Sequence, residues 1–183
     1  MVVLLFAVPA LAAASAANAF EVSKLQVGEQ GDRYVVDFEA QLSADPAAVM
    51  RVLLDFEHYP ALDSRILQAR RSVRNGKPLL FTRIRGCVGS VFCRTMDRYE
   101  SLDVKAGQLV ATAIAGEGDL QYGLTVIRVE SRAGGTWIRY RNEFEPDFWM
   151  PRWLVRKPMY TTLREGTLEM FRAIELRARP AAG

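Results

Sequence analysis

Hydrophobic and polar residues alternate along residues 34–42, which is the pattern of a strand with one buried face. The residues expected on that face are Tyr34, Val36, Phe38, Ala40 and Leu42. Asp45-Pro46 then supplies a helix N-cap followed by proline at the first helical position. Apolar residues recur at helical spacing after it, at Val49, Val52, Leu53 and Phe56. The pattern therefore predicts a strand and then a helix that ends near His58, with one further helical turn over residues 60–64.

Short runs of β-branched and aromatic residues alternate with turn signals from residue 66 to residue 144. The clearest runs cover residues 79–84, 109–114, 124–129 and 137–144. Asn75-Gly76 is a strong signal for a two-residue hairpin turn. We expect about five further strands in this region, joined mostly by short loops into an antiparallel sheet.

The period changes to that of a helix near the end of the chain. The apolar stripe consists of Tyr160, Leu163, Thr167, Met170, Phe171 and Ile174. It predicts a long amphipathic helix whose regular part begins at Pro158. A run of antiparallel strands flanked by helices indicates an α+β fold. A twisted sheet can curl around the long helix, and an apolar chamber remains where the two surfaces do not fully meet.

The first residues of the chain have the features of a secretory signal. The apolar stretch of residues 2–14 is shorter than the ~20 residues that span a bilayer. Ala17-Asn18-Ala19 fits the small-x-small pattern of a cleavage site. We therefore predict a signal peptide over residues 1–19, one domain over residues 20–183, and a periplasmic or secreted location. A buried N-terminal helix is the alternative.

The two cysteines, Cys87 and Cys93, are separated by a short segment that contains Ser90. If Ser90 is the middle of a tight turn, the cysteines face each other across a hairpin and Arg83 lies opposite Asp97. An exported protein reaches a compartment where disulfides persist. A metal site needs more ligands than two thiols, and a redox pair usually has the C-x-x-C spacing. We predict a disulfide; free buried thiols and catalytic or metal chemistry are the alternatives.

Charge is nearly balanced, with 24 Lys and Arg against 21 Asp and Glu. The formal net charge of +3 is spread along the chain and forms no basic block, so we expect no nucleic acid partner. The sequence contains no dinucleotide-binding, phosphate-binding, zinc-protease or nucleophile-elbow motif. We accordingly expect no cofactor and no metal.

Two stretches resemble a known superfamily. The pattern Asp45-Pro-Ala-Ala-Val-Met-Arg-Val-Leu-Leu-Asp-Phe-Glu-His-Tyr-Pro60 resembles the first helix of START-like proteins, also called SRPBCC or helix-grip proteins, of the polyketide cyclase or coenzyme-Q-binding type. The junction Glu145-Pro-Asp-Phe-Trp-Met-Pro151 looks like that of a periplasmic branch. The resemblance covers residues 33–178. It implies a curved antiparallel sheet wrapped around the long C-terminal helix, two short helices after the first strand, and a cavity for an apolar ligand under that helix.

The expected ligand is a hydrophobic small molecule, lipid or quinone-like. The candidate cavity walls are Phe148, Trp149, Trp153, Met159, Tyr160, Leu163, Met170 and Phe171. Ordinary core packing is the alternative for each of them. Arg152, Arg156 and Lys157 follow the aromatic stretch, so a second hypothesis is a protein that docks on a membrane surface or on a protein partner without holding a ligand.

A third hypothesis is a cyclase- or hydrolase-like enzyme that uses the same chamber. Its acid–base candidates are Glu143, Asp55 and His58. His58 is the one histidine of the chain, and capping or surface placement is its other interpretation. Glu143 shares strand parity with Arg141, which favours a solvated ladder of ion pairs. We favour the ligand carrier and name no catalytic residue.

Overall fold

The computed structural model of the protein describes residues 20–88, 92–149 and 152–180. The predicted signal peptide and the predicted turn at Ser90 lie outside the described residues. The helices are α1 (Pro46–Leu54), a short 3-10 helix (Phe56–Ala61) and α2 (Arg152–Ala178). The strands are β1 (Phe20–Gln30), β2 (Arg33–Leu42), β3 (Ile66–Arg74), β4 (Lys77–Val88), β5 (Phe92–Lys105), β6 (Gln108–Gly118), β7 (Leu120–Arg132) and β8 (Gly135–Pro146).

The strands form one antiparallel sheet in the order β1-β2-β8-β7-β6-β5-β4-β3. Strands β3 to β8 follow one another as a meander, and the pairing of β8 with β2 joins this meander to the first hairpin. The curved sheet with α2 on its inner face confirms the predicted α+β, helix-grip fold. Among the described helices, none is both long and apolar enough to cross a bilayer.

The predicted first strand is β2, and its predicted inner face is buried. One strand, β1, precedes it and was not expected, so the two short helices follow the second strand rather than the first. The pairing of β1 with β2 shifts register between Val22 and Lys24. A bulge at this point moves the apolar residues from even-numbered positions, such as Phe20, to odd-numbered ones, such as Leu25. The alternation of apolar and polar residues that marks a strand is therefore interrupted in the sequence.

The start of α1 matches the prediction from the sequence, and the start of α2 does not. Asp45 caps α1 as predicted, because its Oδ1 accepts hydrogen bonds from the backbone N of Ala47 at 2.8 Å and of Ala48 at 3.3 Å. The prediction that α2 becomes regular at Pro158 is wrong, since the helix already begins at Arg152. A proline inside a helix lacks an N–H donor and crowds the carbonyl four residues earlier, which can bend a helix without ending it, so helical backbone can precede Pro158.

The C-terminal half of α2 is anchored in the main core. The Phe171 ring stacks on Phe38 with centroids 4.6 Å apart and contacts Tyr140 edge-on at 5.2 Å. Buried Glu175 accepts hydrogen bonds from the backbone N of Ser43 at 3.1 Å and of Ala44 at 3.3 Å. The two aromatic contacts of Phe171 each stabilise the folded state by about 0.5–1.5 kcal/mol, in addition to the effect of the apolar area that they bury. This half of the helix is therefore fixed to β2, β8 and the segment before α1.

The β3–β4 and β4–β5 hairpins follow the predicted registers. Asn75 and Gly76 form the two-residue turn between β3 and β4, both with positive φ (52° and 74°). In the second hairpin Cys87 pairs with Cys93, and the two sulfurs form the predicted disulfide. Register alone brings these cysteines together, because paired residues of antiparallel strands have neighbouring Cβ atoms.

The predicted partnership of Arg83 with Asp97 is present in the same hairpin. Arg83 donates from Nε to Asp97 Oδ1 at 2.7 Å and from Nη2 to Oδ2 at 2.8 Å. This bidentate bond holds the pKa of the Asp97 carboxyl below its ordinary value. Both side chains lie on the outer face of the sheet, so their strand neighbours Thr82 and Arg98 face inward.

Candidate functional site

A cavity of about 230 Å³ lies between the inner face of the sheet and the middle of α2. Its apolar walls include Ile84, Met96, Leu109 and Ile127 from the sheet and Met159, Leu163 and Met170 from α2. Exposed Arg85 also lines it, so the cavity reaches the surface beside the β4–β5 hairpin. Because a cavity of about 150 Å³ is enough to hold benzene, this chamber has room for a bicyclic ring or the end of an alkyl chain.

An ion pair from the segment just before β3 contacts this part of α2, with the Asp63 side chain 8% and the Arg65 side chain 28% exposed. Asp63 accepts from Arg65 Nε at 2.8 Å and from Nη2 at 2.5 Å, and Arg65 Nη1 donates to the Thr162 carbonyl of α2 at 2.8 Å. The guanidinium lies against Gly166, where a Cβ atom would be 1.5 Å from Arg65 Nη2. The glycine therefore allows an arginine, rather than a strand, to approach the helix, and the chamber remains beside it.

A second ion pair lies on β5 inside the cavity. Arg98 Nη2 donates to Glu100 Oε1 at 2.6 Å, and these side chains are only 16% and 3% exposed. The phenols of Tyr59 and Tyr140 also line the chamber. Burial raises the pKa of Tyr140 to about 12 and raises that of Tyr59 still further. Both phenols are therefore neutral at physiological pH; the Tyr59 hydroxyl donates to the Leu53 carbonyl at 2.7 Å.

Seven of the eight predicted wall residues have described side chains, and four of these seven line the cavity. Phe148, Met159, Leu163 and Met170 line the cavity. Phe171 lies in the core against Phe38 instead, because it is turned by about 100° around the helix from Met170. Tyr160 packs beside the cluster formed by Tyr34, Leu120 and Phe144.

The other two predicted wall residues flank the junction between β8 and α2. The side chain of Trp149 is 84% exposed and does not line the chamber. Trp153 lies in the first turn of α2, and its side chain is outside the described part of the structure. Phe148, just before Trp149, is covered by the Arg94 guanidinium at 3.8 Å from the ring centroid. The aromatic stretch is thus divided between a cavity wall and the protein surface.

The three acid–base candidates lie away from the cavity. His58 Nδ1 and Asp55 Oδ1 are 2.6 Å apart in an exposed pair at the end of α1. Glu143 accepts from Arg141 Nε at 2.7 Å, and Arg141 Nη1 also donates to Asp37 at 2.9 Å. This ladder of ion pairs lies on the outer face of the sheet. An enzyme built on these three groups is therefore not supported by their positions.

Several polar groups that line the cavity were missed by sequence reasoning, among them Arg65, Thr82, Arg98 and Glu100. One available signal was the register of the β4–β5 hairpin. If Arg83 and Asp97 pair on the outer face, then Thr82 and Arg98 must pair on the inner one. A polar pair on the inner face of a predicted sheet indicates a site rather than a core.

Comparisons with known proteins agree with this geometry. The profile of a family described as polyketide cyclase/dehydrase and lipid transport matches residues 34–175. The Zhui aromatase/cyclase from Streptomyces sp. R1128 has a TM-score of 0.62 at 14% identity, over 82% of this chain and 99% of that one. A STAR-related lipid transfer protein from Xanthomonas axonopodis has a TM-score of 0.58 at 12% identity, over 89% and 100%.

A START superfamily protein from Mycobacterium smegmatis has a TM-score of 0.58 at 16% identity, over 80% of this chain and 96% of that one. At these identities the structural similarity shows a shared fold. No curated protein sequence matches the chain significantly.

Proposed function

The chain belongs to the polyketide cyclase/dehydrase and lipid transport family, and on that premise we propose that it binds and carries a hydrophobic small molecule in the cavity under α2. The observation that carries this proposal is the chamber itself, whose walls are mainly apolar side chains from both the sheet and the helix. Each 100 Å² of apolar ligand surface removed from water contributes roughly 2.5 kcal/mol toward binding. A lipid-like or quinone-like ring or chain end fits both the size and the character of the chamber.

The two halves of α2 suggest how such a ligand enters. The C-terminal half is held by Phe171 in the core and by the buried Glu175, whereas the described polar bonds of the N-terminal half run mainly to backbone carbonyls. Those bonds include Arg65 to the Thr162 carbonyl at 2.8 Å and Thr162 Oγ1 to the Cys87 carbonyl at 3.4 Å. We propose that separation at Thr162 opens the cavity beside the β4–β5 hairpin.

Mass spectrometry of organic extracts tests the carrier proposal. Protein purified from its native compartment should release a recurrent apolar compound. Leu163→Trp places a larger side chain in the cavity wall and should abolish copurification. Leu176→Trp makes the same change at an exposed site on the same helix and should leave it intact. Extracts without a ligand, or equal retention in both variants, would contradict the proposal.

We also propose that the protein acts in the periplasm or outside the cell after cleavage behind Ala19. The disulfide between Cys87 and Cys93 supports this location, because such bonds persist in oxidising compartments. The intact mass of the exported protein checks it: the chain should begin at Phe20. A mature chain that retains the first 19 residues would contradict the proposal.

A membrane surface is the second candidate partner, favoured by the exposure of Trp149 next to the cavity wall. The neighbouring Arg94 covers Phe148, and Arg156 is exposed on α2, so two guanidinium groups lie near the junction, each also within 4 Å of a carboxylate, at 3.7 Å from Asp119 and 3.6 Å from Glu29. Flotation with vesicles containing phosphatidylglycerol tests this contact. Trp149→Ser should reduce binding, whereas Leu176→Ser, which removes an exposed apolar side chain farther along α2, should not. Equal flotation of the two variants would exclude Trp149 as the contact.

A further inference from the structure

Two buried polar atoms inside the cavity have no hydrogen-bond partner among the residues that the structure describes. They are Thr82 Oγ1 and Arg98 Nε. Both residues line the cavity, and Thr82 is only 5% exposed. Buried polar groups in proteins are nearly always paired, since an unmade hydrogen bond away from water is unfavourable. These two atoms therefore mark a place where something other than the protein completes the bonding.

The two unpaired atoms belong to directly opposed residues. Thr82 on β4 is the register partner of Arg98 on β5. Paired residues of antiparallel strands have Cβ atoms about 4.5–5.5 Å apart, and both side chains here project to the same face. A single oxygen atom placed between them can accept from the Arg98 Nε–H and from the Thr82 hydroxyl. The rest of the chamber around them is largely apolar, so such an oxygen would belong to an otherwise apolar molecule.

The charges in the chamber limit what that oxygen can be. Arg98 is already paired with Glu100, and Arg65 with Asp63. The two pairs cancel, and the remaining charged lining residue, Arg85, is exposed where the cavity reaches the surface, so a ligand carboxylate between Thr82 and Arg98 would bring a further negative charge close to Glu100. Burying an unpaired charge is strongly unfavourable, whereas a neutral acceptor needs only hydrogen-bond donors.

We propose that Thr82 and Arg98 form a recognition site for the carbonyl oxygen of a neutral, otherwise apolar ligand, of the ketone or quinone class. This inference rests on the proposed carrier function and specifies its ligand. The apolar walls supply binding affinity for any hydrophobic molecule of suitable size. The two hydrogen-bond donors then favour those molecules that carry an oxygen acceptor at one end. The ion pair with Glu100 orients the guanidinium through Nη2 and leaves Nε without a protein partner, available to a ligand oxygen.

Titration calorimetry with three bicyclic probes tests the site. The probes are tetralin, α-tetralone and 1-naphthoate, which share a similar size and differ in the oxygen group. The ketone should bind about three- to tenfold more tightly than the hydrocarbon, the effect of one or two net hydrogen bonds. The carboxylate should bind more weakly than the ketone.

Two threonine variants provide a matched comparison. Thr82→Val removes the unpaired hydroxyl and keeps the shape, so it should reduce the preference for the ketone and leave tetralin binding unchanged. Thr167→Val makes the same change in the same cavity, but its hydroxyl already donates to the Leu163 carbonyl at 2.7 Å. It should therefore leave the ketone preference unchanged. The melting temperature of ligand-free Thr82→Val should equal or exceed that of the wild type, because the lost hydroxyl has no protein partner.

The outcomes separate this inference from the carrier function. If tetralin and tetralone bind equally, or if both valine variants change the preference alike, the carbonyl site is refuted while binding of the hydrocarbon still supports a carrier. A clear fall in the melting temperature of Thr82→Val alone would also refute it, because the hydroxyl would then have a partner in the free protein. Failure of the wild type to bind any of the three probes would refute both.

Discussion

Replacing Gly166 by alanine sets two opposite effects against each other in the middle of α2. In a helix interior, alanine is more favourable than glycine by about 1 kcal/mol. A Cβ atom at this position would, however, lie 1.5 Å from Arg65 Nη2 and 1.9 Å from its Cζ. The guanidinium must move, although helix propensity alone predicts a stabilised protein.

The size of the loss follows from the bonds that hold Arg65. Its movement breaks the 2.8 Å bond from Nη1 to the Thr162 carbonyl and disturbs the paired bonds to the buried Asp63 carboxylate. A hydrogen bond to a charged group contributes about 1.5–3 kcal/mol. Subtracting the gain in helix propensity leaves a net destabilisation of about 0.5–2 kcal/mol for Gly166→Ala. This corresponds to a lower melting temperature by about 1–8 °C for a domain of this size.

A double-mutant cycle isolates the interaction. Without the guanidinium, in an Arg65→Ala background, Gly166→Ala should become stabilising by about 1 kcal/mol. Free energies of unfolding from urea titration of the four proteins give the coupling directly. If Gly166→Ala stabilises the wild type as much as it stabilises the Arg65→Ala variant, the contact between Arg65 and the helix is not what requires a glycine here.

Three further predictions concern other parts of the fold. Glu175→Gln should destabilise by about 1.5–3 kcal/mol in urea unfolding, because an amide N–H then faces the backbone donors of the segment at Ser43. Tyr140→Phe should reduce the loss of stability between pH 10 and pH 12, measured by denaturation at each pH. The folded pKa of about 12 lies above the ordinary value of 10.0, so stability present below pH 10 is lost as pH rises toward the folded pKa. Replacing Cys87 and Cys93 together by serine should destabilise by about 2 kcal/mol, for a disulfide that spans a sequence separation of 6.

Each of these has a control and a contrary result. Glu165, exposed on the same helix, serves as the control for glutamate-to-glutamine replacement, and equal effects at the two sites would reject the anchoring role of Glu175. If the Tyr140→Phe variant lost as much stability between pH 10 and pH 12 as the wild type, this phenol would not titrate as a buried group. The serine variant should match the wild type under reducing conditions, and a difference there would assign the effect to the substitutions rather than to the bond.

Local features of the fold could be predicted because short-range physics determines them. The alternation over residues 34–42, the Asp45 cap and the positive φ at Asn75-Gly76 each depend on neighbours in sequence. The register of the β4–β5 hairpin followed from the two cysteines and an opposite-charge pair on the same strands. Together with the terminal amphipathic stripe, these features indicated the α+β class, and the resemblance to START-like proteins implied the helix-grip arrangement.

The strand β1 and the true start of α2 were not predicted, for reasons that are also local. A bulge between Val22 and Lys24 interrupts the alternation of β1, and Pro158 resembles a helix start although helical backbone precedes it. For Phe171 and Trp149 the residue types were compatible with cavity walls, and only the rotation of the helix and the course of the junction placed them elsewhere.

The sequence by itself determined most of the elements, their order and the presence of a sheet around a terminal helix, because periodicity and turn chemistry are encoded in adjacent residues. The tertiary structure alone decided where the chamber lies and which polar groups face it. Arg65 reaches a helix carbonyl 97 residues away, and Ser43 donates to Glu175 across 132 residues. A cavity is a place where distant surfaces fail to meet, so its position and lining depend on such long-range contacts and on the face that each strand turns inward.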